Sequence, residues 1–160
     1  MSQTIAIIIN NITNLAGTER AVVNLANILS KQGNTVYIIS TDTKKGETSY
    51  PLDPAIKILH LGLNIYLAKK IGKIKQYILL RKQLKKKRNE LNIDIFIGTY
   101  ILLNILITFI KKVKTIGCEH FNYNSASNIH KKIRKLFYNR LNAVVVLTKQ
   151  DSKHKTAYDV

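Results

Sequence analysis

The sequence predicts an α/β domain built on a doubly wound, mainly parallel sheet with helices on both faces. Three observations predict it. Short apolar runs alternate along the chain with longer amphipathic or basic runs. The short runs, among them "TIAIIIN", "IDIFIGT" and "AVVVLT", are continuously apolar rather than alternating. Such strands need cover on both faces, which a parallel sheet between helices supplies. The first run then enters a small-residue loop in which Gly17 sits directly ahead of a helix, as at the start of a Rossmann-type unit.

The elements follow in order. Thr4–Asn10 reads as a buried strand. Gly17–Gln32 reads as a helix, with Val22, Val23, Leu25, Ala26 and Leu29 on one side and Arg20, Asn24, Asn27 and Lys31 largely opposite. Gly33 is its stop, because glycine takes the left-handed position cheaply. Val36–Thr41 is the second strand, Thr41–Pro54 a polar loop holding both prolines, and Ile56–Leu61 the third strand. Ile65–Leu91 reads as a long basic helix whose stripe of Ile71, Ile74, Tyr77, Ile78, Leu80, Leu84 and Leu91 is expected to cover the sheet. Ile93–Thr99 is a strand, Ile101–Ile110 a short buried helix and Lys114–His120 a strand. Ser125–Leu141 is a helix with Ile129, Ile133, Leu136, Phe137 and Leu141 turned inward, and Ala143–Thr148 is the last strand. Residues 1–151 form one domain, and 152–160 a short polar tail.

Composition sets the bounds. A chain of 160 residues with 46% hydrophobic content can bury a real core. The single cysteine, Cys118, has no internal disulfide partner, which fits a reducing cytoplasm. No secretory leader is read: "IAIII" lacks a basic flank and is shorter than a signal core. The most apolar run, Tyr100–Ile110, falls far below the roughly 20 residues of a spanning helix. Charge is the outlier, with 26 basic residues against nine acidic ones and a formal net of +17. Such a surface attracts nucleic acid, anionic lipid or phosphorylated substrates, and charge alone does not choose among them.

In doubly wound sheets ligands bind beyond the carboxyl ends of the strands. That rule selects Asn11–Glu19, Thr99–Asn104, Glu119–Asn124 and Thr148–Asp151 as one rim. At Gly17 the backbone N–H groups of a helix start can meet a phosphate, with Thr18 as a candidate cap. Equally, Gly17 can simply ease the turn. The dinucleotide fingerprint G-x-G-x-x-G is absent, which argues against a nicotinamide enzyme. Glu119 and His120 arrive at the rim together. Since histidine ordinarily changes charge near working pH, His120 is a candidate hydrogen-bond donor or general acid–base, or can cap the sheet end. Cys118 reads as a small core residue rather than a nucleophile partnered by His120. His60, His120, His130, His154 and one cysteine show no metal-ligand spacing.

Between Lys69 and Arg88 stand ten basic residues and no acidic one. This run is either a solvated face of a sheet-covering helix or a surface lying against anionic lipid headgroups. For the membrane the candidates are Lys69, Lys70, Lys73, Arg81, Lys82, Lys85, Lys86, Lys87 and Arg88. Single-strand nucleic acid binders interleave stacking aromatics with basic residues. Here the run holds only Tyr77 and the chain has no tryptophan, so nucleic acid is not the expected partner.

Taken together, "AGTERAVVNLANILSKQGNTVYIIS", "IDIFIGTY", "VKTIGCEHF" and "RLNAVVVLTKQD", in this order and spacing, resemble the N-terminal domain of family 4 glycosyltransferases of the GT-B fold. The resemblance runs from Ile5 to about Asp151. It implies a domain that mainly binds the acceptor and faces a second Rossmann-like domain holding most of a nucleotide-sugar, with retaining sugar transfer and no required metal or other cofactor. The family's G-G-x-E loop near the donor diphosphate maps onto Ala16, Gly17, Thr18 and Glu19, with Ala16 in place of the first glycine. The family's active-site histidine maps onto His120. Thr99, Tyr100, Glu119, Phe121 and Asn122 are then expected in the acceptor cleft. Gly33-Asn34, where the family commonly has Gly-His, looks structural. The basic helix suits members that act on lipid-linked acceptors at the inner face of the cytoplasmic membrane, in polysaccharide or lipopolysaccharide synthesis. The paired-glutamate donor motif of the second domain is not found in residues 1–160, so that domain is an expected partner, in the same gene or on a second chain. The competing expectation is a non-enzymatic basic module for anionic membrane or nucleic acid.

Overall fold

The computed structural model describes residues 2–63, 70–119 and 127–146; in addition, the side chains of Lys70, Ile71 and Lys73 are not described. Six parallel strands form one sheet: β1 (Thr4–Ile9), β2 (Thr35–Ser40), β3 (Lys57–His60), β4 (Ile95–Gly98), β5 (Lys114–Glu119) and β6 (Ala143–Val146). Their order is β3-β2-β1-β4-β5-β6. The order reverses between β1 and β4, the place where a doubly wound sheet opens a crevice. The helices are α1 (Gly17–Lys31), α2 (Lys70–Glu90), α3 (Ile101–Ile107) and α4 (Asn128–Phe137), the last running into a 3₁₀ turn at Tyr138–Arg140.

Each face of the sheet has its own core, because successive strand residues point to opposite sides. On one face Ile5, Ile7, Ile9, Val36, Ile38 and Ile97 pack with Val22, Val23 and Ala26 of α1. On the other, Ala6, Ile8, Ile39 and Phe96 pack with Leu80 and Leu84 of α2, Leu103, Leu106 and Ile107 of α3, and Tyr138 and Leu141. Among the described residues, α1 covers the first face, and α2 and α3 share the second.

Helix α1 ends as expected. Gly33 has φ +83°, and the amides of Gly33 and Asn34 return to the carbonyls of Ser30 and Leu29. Asn34 has a structural role: its Nδ2 donates to the Leu29 carbonyl and its Oδ1 accepts from the Gln3 amide. This ties the helix end to the start of β1.

Two helical patterns differ from expectation. On α2, Leu80 and Leu84 are fully buried, but Ile74, Ile78 and Leu79 are exposed at 64%, 54% and 42%. Among the described side chains of the stripe, Tyr77, Leu80, Leu84 and Leu91 pack on this core, while Ile74 and Ile78 stay outside it. On α4, Ile129 and Leu136 face solvent rather than the core. Leu141 is buried as expected and Ile133 and Phe137 are half-buried, while Arg134 and Tyr138 take the other fully inward positions. Residues 65–69, 120–126 and 147–160, over which a helix start, a loop, a strand end and a tail were expected, lie outside the described residues.

Candidate active site at the sheet rim

A pocket of about 350 Å³ opens beyond the carboxyl ends of β1 and β4. Its lining joins the β1–α1 loop (Asn10, Asn11, Asn14, Ala16, Thr18, Glu19), the residue group after β4 (Thr99, Tyr100), Ile9 and Asp42. The parallel register explains the meeting, since Ile8 sits beside Gly98 and Ile9 beside Ser40. Backbone bonds fix the floor: the amides of Thr41 and Asp42 donate to the carbonyls of Ile9 and Asn10 at 3.0 and 2.8 Å. Asn11 folds the loop, its Oδ1 accepting from the amide and hydroxyl of Thr13 at 2.9 and 2.8 Å.

The helix start is uncapped by any side chain. Ala16 is the N-cap, with extended backbone and no side-chain hydrogen bond, so Thr18 does not cap the helix. A Cβ at Gly17 would meet nothing within 4 Å, and its φ is not in the left-handed region. Neither packing nor backbone geometry thus requires glycine there. What glycine leaves is open space in front of first-turn N–H groups. Glu19 is buried, favourably placed in the first turn for the helix dipole. Its Oε2 is buried without a hydrogen-bond partner among the described residues. The described lining holds two carboxylates, three asparagines, two threonines and a tyrosine, and no lysine, arginine or histidine. In a chain of formal charge +17, the described lining of this pocket is a local exception.

The rim after β5 is organised differently. Glu119, expected in the acceptor cleft, is buried and turned inward. Its carboxylate is held by the Arg134 guanidinium and the Tyr138 hydroxyl, and by Asn104 Nδ2 at 3.2 Å. Asn104 Nδ2 also reaches Tyr138 Oη at 3.1 Å. All four residues are buried. Burial holds the Glu119 carboxyl above its ordinary range, with Tyr138 and Arg134 pulling it back. The Tyr138 hydroxyl is pushed well up by burial and then by the Glu119 charge. Next to this group Cys118 is a core residue whose thiol burial raises to about 11, which removes it as a nucleophile.

Asn104, Arg134 and Tyr138 were not singled out from sequence. A signal existed: Gly98 and Gly117 are neighbours in register across β4 and β5. A Cβ at Gly98 would lie 3.1 Å from the Asn104 amide nitrogen, and one at Gly117 3.1 Å from its side-chain amide. The paired glycines make room for that asparagine. Asp42, just past the carboxyl end of β2, stands in a polar loop and carries no sequence signal of its own.

Of the expected site residues, the structure brings Ala16, Thr18, Glu19, Thr99 and Tyr100 to one pocket, with Gly17 at its edge. Thr99 is itself buried, its hydroxyl donating to the Ile8 carbonyl at 2.8 Å. His120, Phe121 and Asn122 lie outside the described residues.

The strand order and the rim pocket place the chain among doubly wound domains that take ligands at a switch point. Comparison with known proteins makes this specific. The sequence pattern described as Glycosyltransferase Family 4 matches residues 15–158, and the chain belongs to that family. A glycosyltransferase of Haemophilus influenzae is 32% identical over 127 residues, covering 78% of this chain and 34% of that protein. The amylovoran biosynthesis glycosyltransferase AmsD of Erwinia amylovora is 26% identical over 153 residues, covering 94% of this chain and 41% of that protein. Among solved structures, sucrose-phosphate synthase of Thermosynechococcus elongatus superposes with a TM-score of 0.75 at 13% identity, over 98% of this chain and 45% of that one. A glycosyltransferase of Rickettsia africae gives 0.68 at 21% identity, over 96% of this chain and 39% of that one. The fold is thus the Rossmann-like unit of GT-B glycosyltransferases, and the chain spans between a third and two fifths of the curated relatives it matches.

Proposed function

We propose that this chain is the acceptor-side half of a retaining glycosyltransferase, moving a sugar from a nucleotide-sugar to a saccharide or lipid-linked acceptor in surface polysaccharide or lipopolysaccharide synthesis. The observation that carries the reading is the rim pocket whose described lining holds no cation, with a Glu19 oxygen buried and unpartnered among the described residues. A carboxylate in the first turn works against a diphosphate resting inside the pocket. It suits a hydroxyl donor, and asparagine and threonine suit a polyhydroxyl ligand. The acceptor sugar therefore occupies the pocket, with Glu19 Oε2 accepting from one of its hydroxyls. The donor diphosphate approaches the open backbone at Gly17, at the pocket's edge. The donor-binding domain completes the site, so turnover by residues 1–160 alone is expected to be far below that of a form carrying it.

The exposed face of α2 supports work at a membrane. Lys82, Lys85 and Lys86 are exposed beside Ile78 and Leu79, a combination that attracts anionic headgroups and places apolar side chains at the interface. Of the candidates for that role, Lys86 and Lys87 pair with Glu90 at 3.5 and 2.8 Å, and Arg81 and Arg88 donate to backbone carbonyls. Lys69 and the side chains of Lys70 and Lys73 lie outside the described residues. No described helix is long and apolar enough to cross a membrane.

Saccharide binding tests the reading. Ligand-observed NMR on the chain with a panel of saccharides and nucleotide-sugars is expected to show saccharide binding that Glu19→Gln weakens and nucleotide-sugar binding that Gly17→Val weakens. Glu19→Gln is the decisive variant for the saccharide and Gly17→Val for the nucleotide-sugar; saccharide binding indifferent to Glu19→Gln would contradict the reading.

A further inference from the structure

A second cavity, of about 510 Å³, lies between the last half of α2 and the turn joining α3 to β5. It sits where α2 hands over to β4 and α3 to β5, at the amino ends of the strands, the opposite pole from the rim. Its walls carry five cations, Arg81, Lys85, Arg88, Lys111 and Lys112, around the ring of Phe109, and no carboxylate lines it among the described residues. Like charges repel, so gathering five around one hollow without a counter-charge costs free energy unless an anion offsets it.

Part of this group has a structural duty. Arg81 Nη2 donates to the Phe109 carbonyl at 3.2 Å, and Arg88 Nη2 to the Lys112 carbonyl at 2.6 Å. Arg88 Nη1 also reaches Asn89 Oδ1 at 3.0 Å. These bonds hold both guanidiniums in place and leave each with further N–H donors. Arg88 Nε is buried with no partner among the described residues. Lys85, Lys111 and Lys112 form no ion pair among the described residues. Lys112 also stands at φ +61°, in the left-handed region where glycine or asparagine is favoured. A turn that only needed to close would be better served by glycine. Retaining lysine there keeps a cation at the mouth of the hollow.

We propose that this cavity is a binding site for a phosphate group, with the fixed guanidinium of Arg88 as its anchor and Lys85, Lys111 and Lys112 as charge partners. A guanidinium pre-ordered by other bonds recognises phosphate oxygens by direct N–H donation. The phosphate belongs either to a lipid headgroup or to a free anion. The site differs from the diffuse attraction of the exposed α2 face in being saturable, one phosphate per chain. It does not depend on the sugar-transfer reading.

The test is calorimetric titration of the 160-residue chain with inorganic phosphate at fixed ionic strength. The expected result is one saturable site per chain. Lys112→Gly should lower the affinity about tenfold, the equivalent of one lost charge-assisted contact, while raising the unfolding temperature. Lys85→Gln with Lys111→Gln, which removes no described hydrogen bond, should weaken binding at least as much. Lys131→Gln with Lys132→Gln, the same charge change on α4, should leave it unaltered. Vesicles of phosphatidic acid that displace the inorganic phosphate would assign the site to a lipid headgroup. Vesicles that bind without displacing it would assign it to a free anion. Absent or non-saturating binding, or equal loss in the α4 pair, would overturn the proposal.

Discussion

At the scale of single residues, the sheet end beneath the rim rests on one buried ionic group. Glu119 and Arg134 are 6% and 2% exposed, and removing one partner leaves the other charge buried. Arg134→Ala should therefore cost about 3–5 kcal/mol, as for other broken buried pairs. Arg134→Met with Glu119→Gln should cost much less than the single change, because no uncompensated charge is left. Urea unfolding of the three proteins measures both. Cys118 gives an independent readout. With its thiol raised to about 11, roughly one part in ten thousand is thiolate at pH 7. Iodoacetamide should label the native chain far more slowly than the unfolded one. The sign for stability follows: the folded state favours the protonated thiol. The cysteine's contribution is intact below the unfolded value near 9 and declines as pH rises toward 11. These roles were hidden in the sequence for a physical reason. An arginine among lysines on a basic helix reads as surface, and nothing local says that its partner waits on a strand 15 residues back.

At the scale of elements, the strands were legible because a fully covered strand is apolar at every position, as Ile5–Ile9 shows. Helix α1 was legible from both ends, with Gly17 at its start and Gly33 at its stop. Helix faces were harder to read. A stripe at helical spacing shows which residues can face inward, not how many will, and α2 buries Leu80 and Leu84 while leaving Ile74 and Ile78 outside. The Gly17 loop belongs to this scale too. Since a Cβ at Gly17 meets nothing within 4 Å, Gly17→Ala should leave stability unchanged or raise it by up to about 1 kcal/mol. Gly17→Val places bulk where a ligand's phosphate approaches. In a form of the protein carrying the donor-binding domain, it should reduce transfer far more than it lowers the unfolding midpoint. Parallel loss of both would make the glycine a structural residue.

At the scale of the whole molecule, charge is divided by location. The described lining of the rim pocket holds Glu19 and Asp42 without a cation, while the pole beneath α2 gathers five cations. Exposed Ile74, Ile78 and Leu79 add apolar surface to the basic face. Vesicle attachment should thus combine two contributions. Lys82→Gln, Lys85→Gln and Lys86→Gln together should weaken co-sedimentation with anionic vesicles by about 3 kcal/mol at most, at roughly 1 kcal/mol per charge. High salt should remove most of the attachment, since screening shortens from about 10 Å at 0.1 M to about 3 Å at 1 M. Ile74→Ser with Ile78→Ser should remove the salt-resistant remainder. Binding that ignores lipid charge and all these changes would rule out this surface. The central claim concerns the other pole, that the sugar acceptor sits in the rim pocket beside Glu19. The most direct measurement is the map of backbone amide shifts in the ¹⁵N-labelled chain on titration with a binding saccharide. Shifts concentrated at Asn10–Glu19, Asp42 and Thr99–Tyr100, and lost in Glu19→Gln, are the predicted result. Shifts concentrated instead at the sheet edge around Tyr50 and His60, or around Arg81 and Lys112, would contradict it.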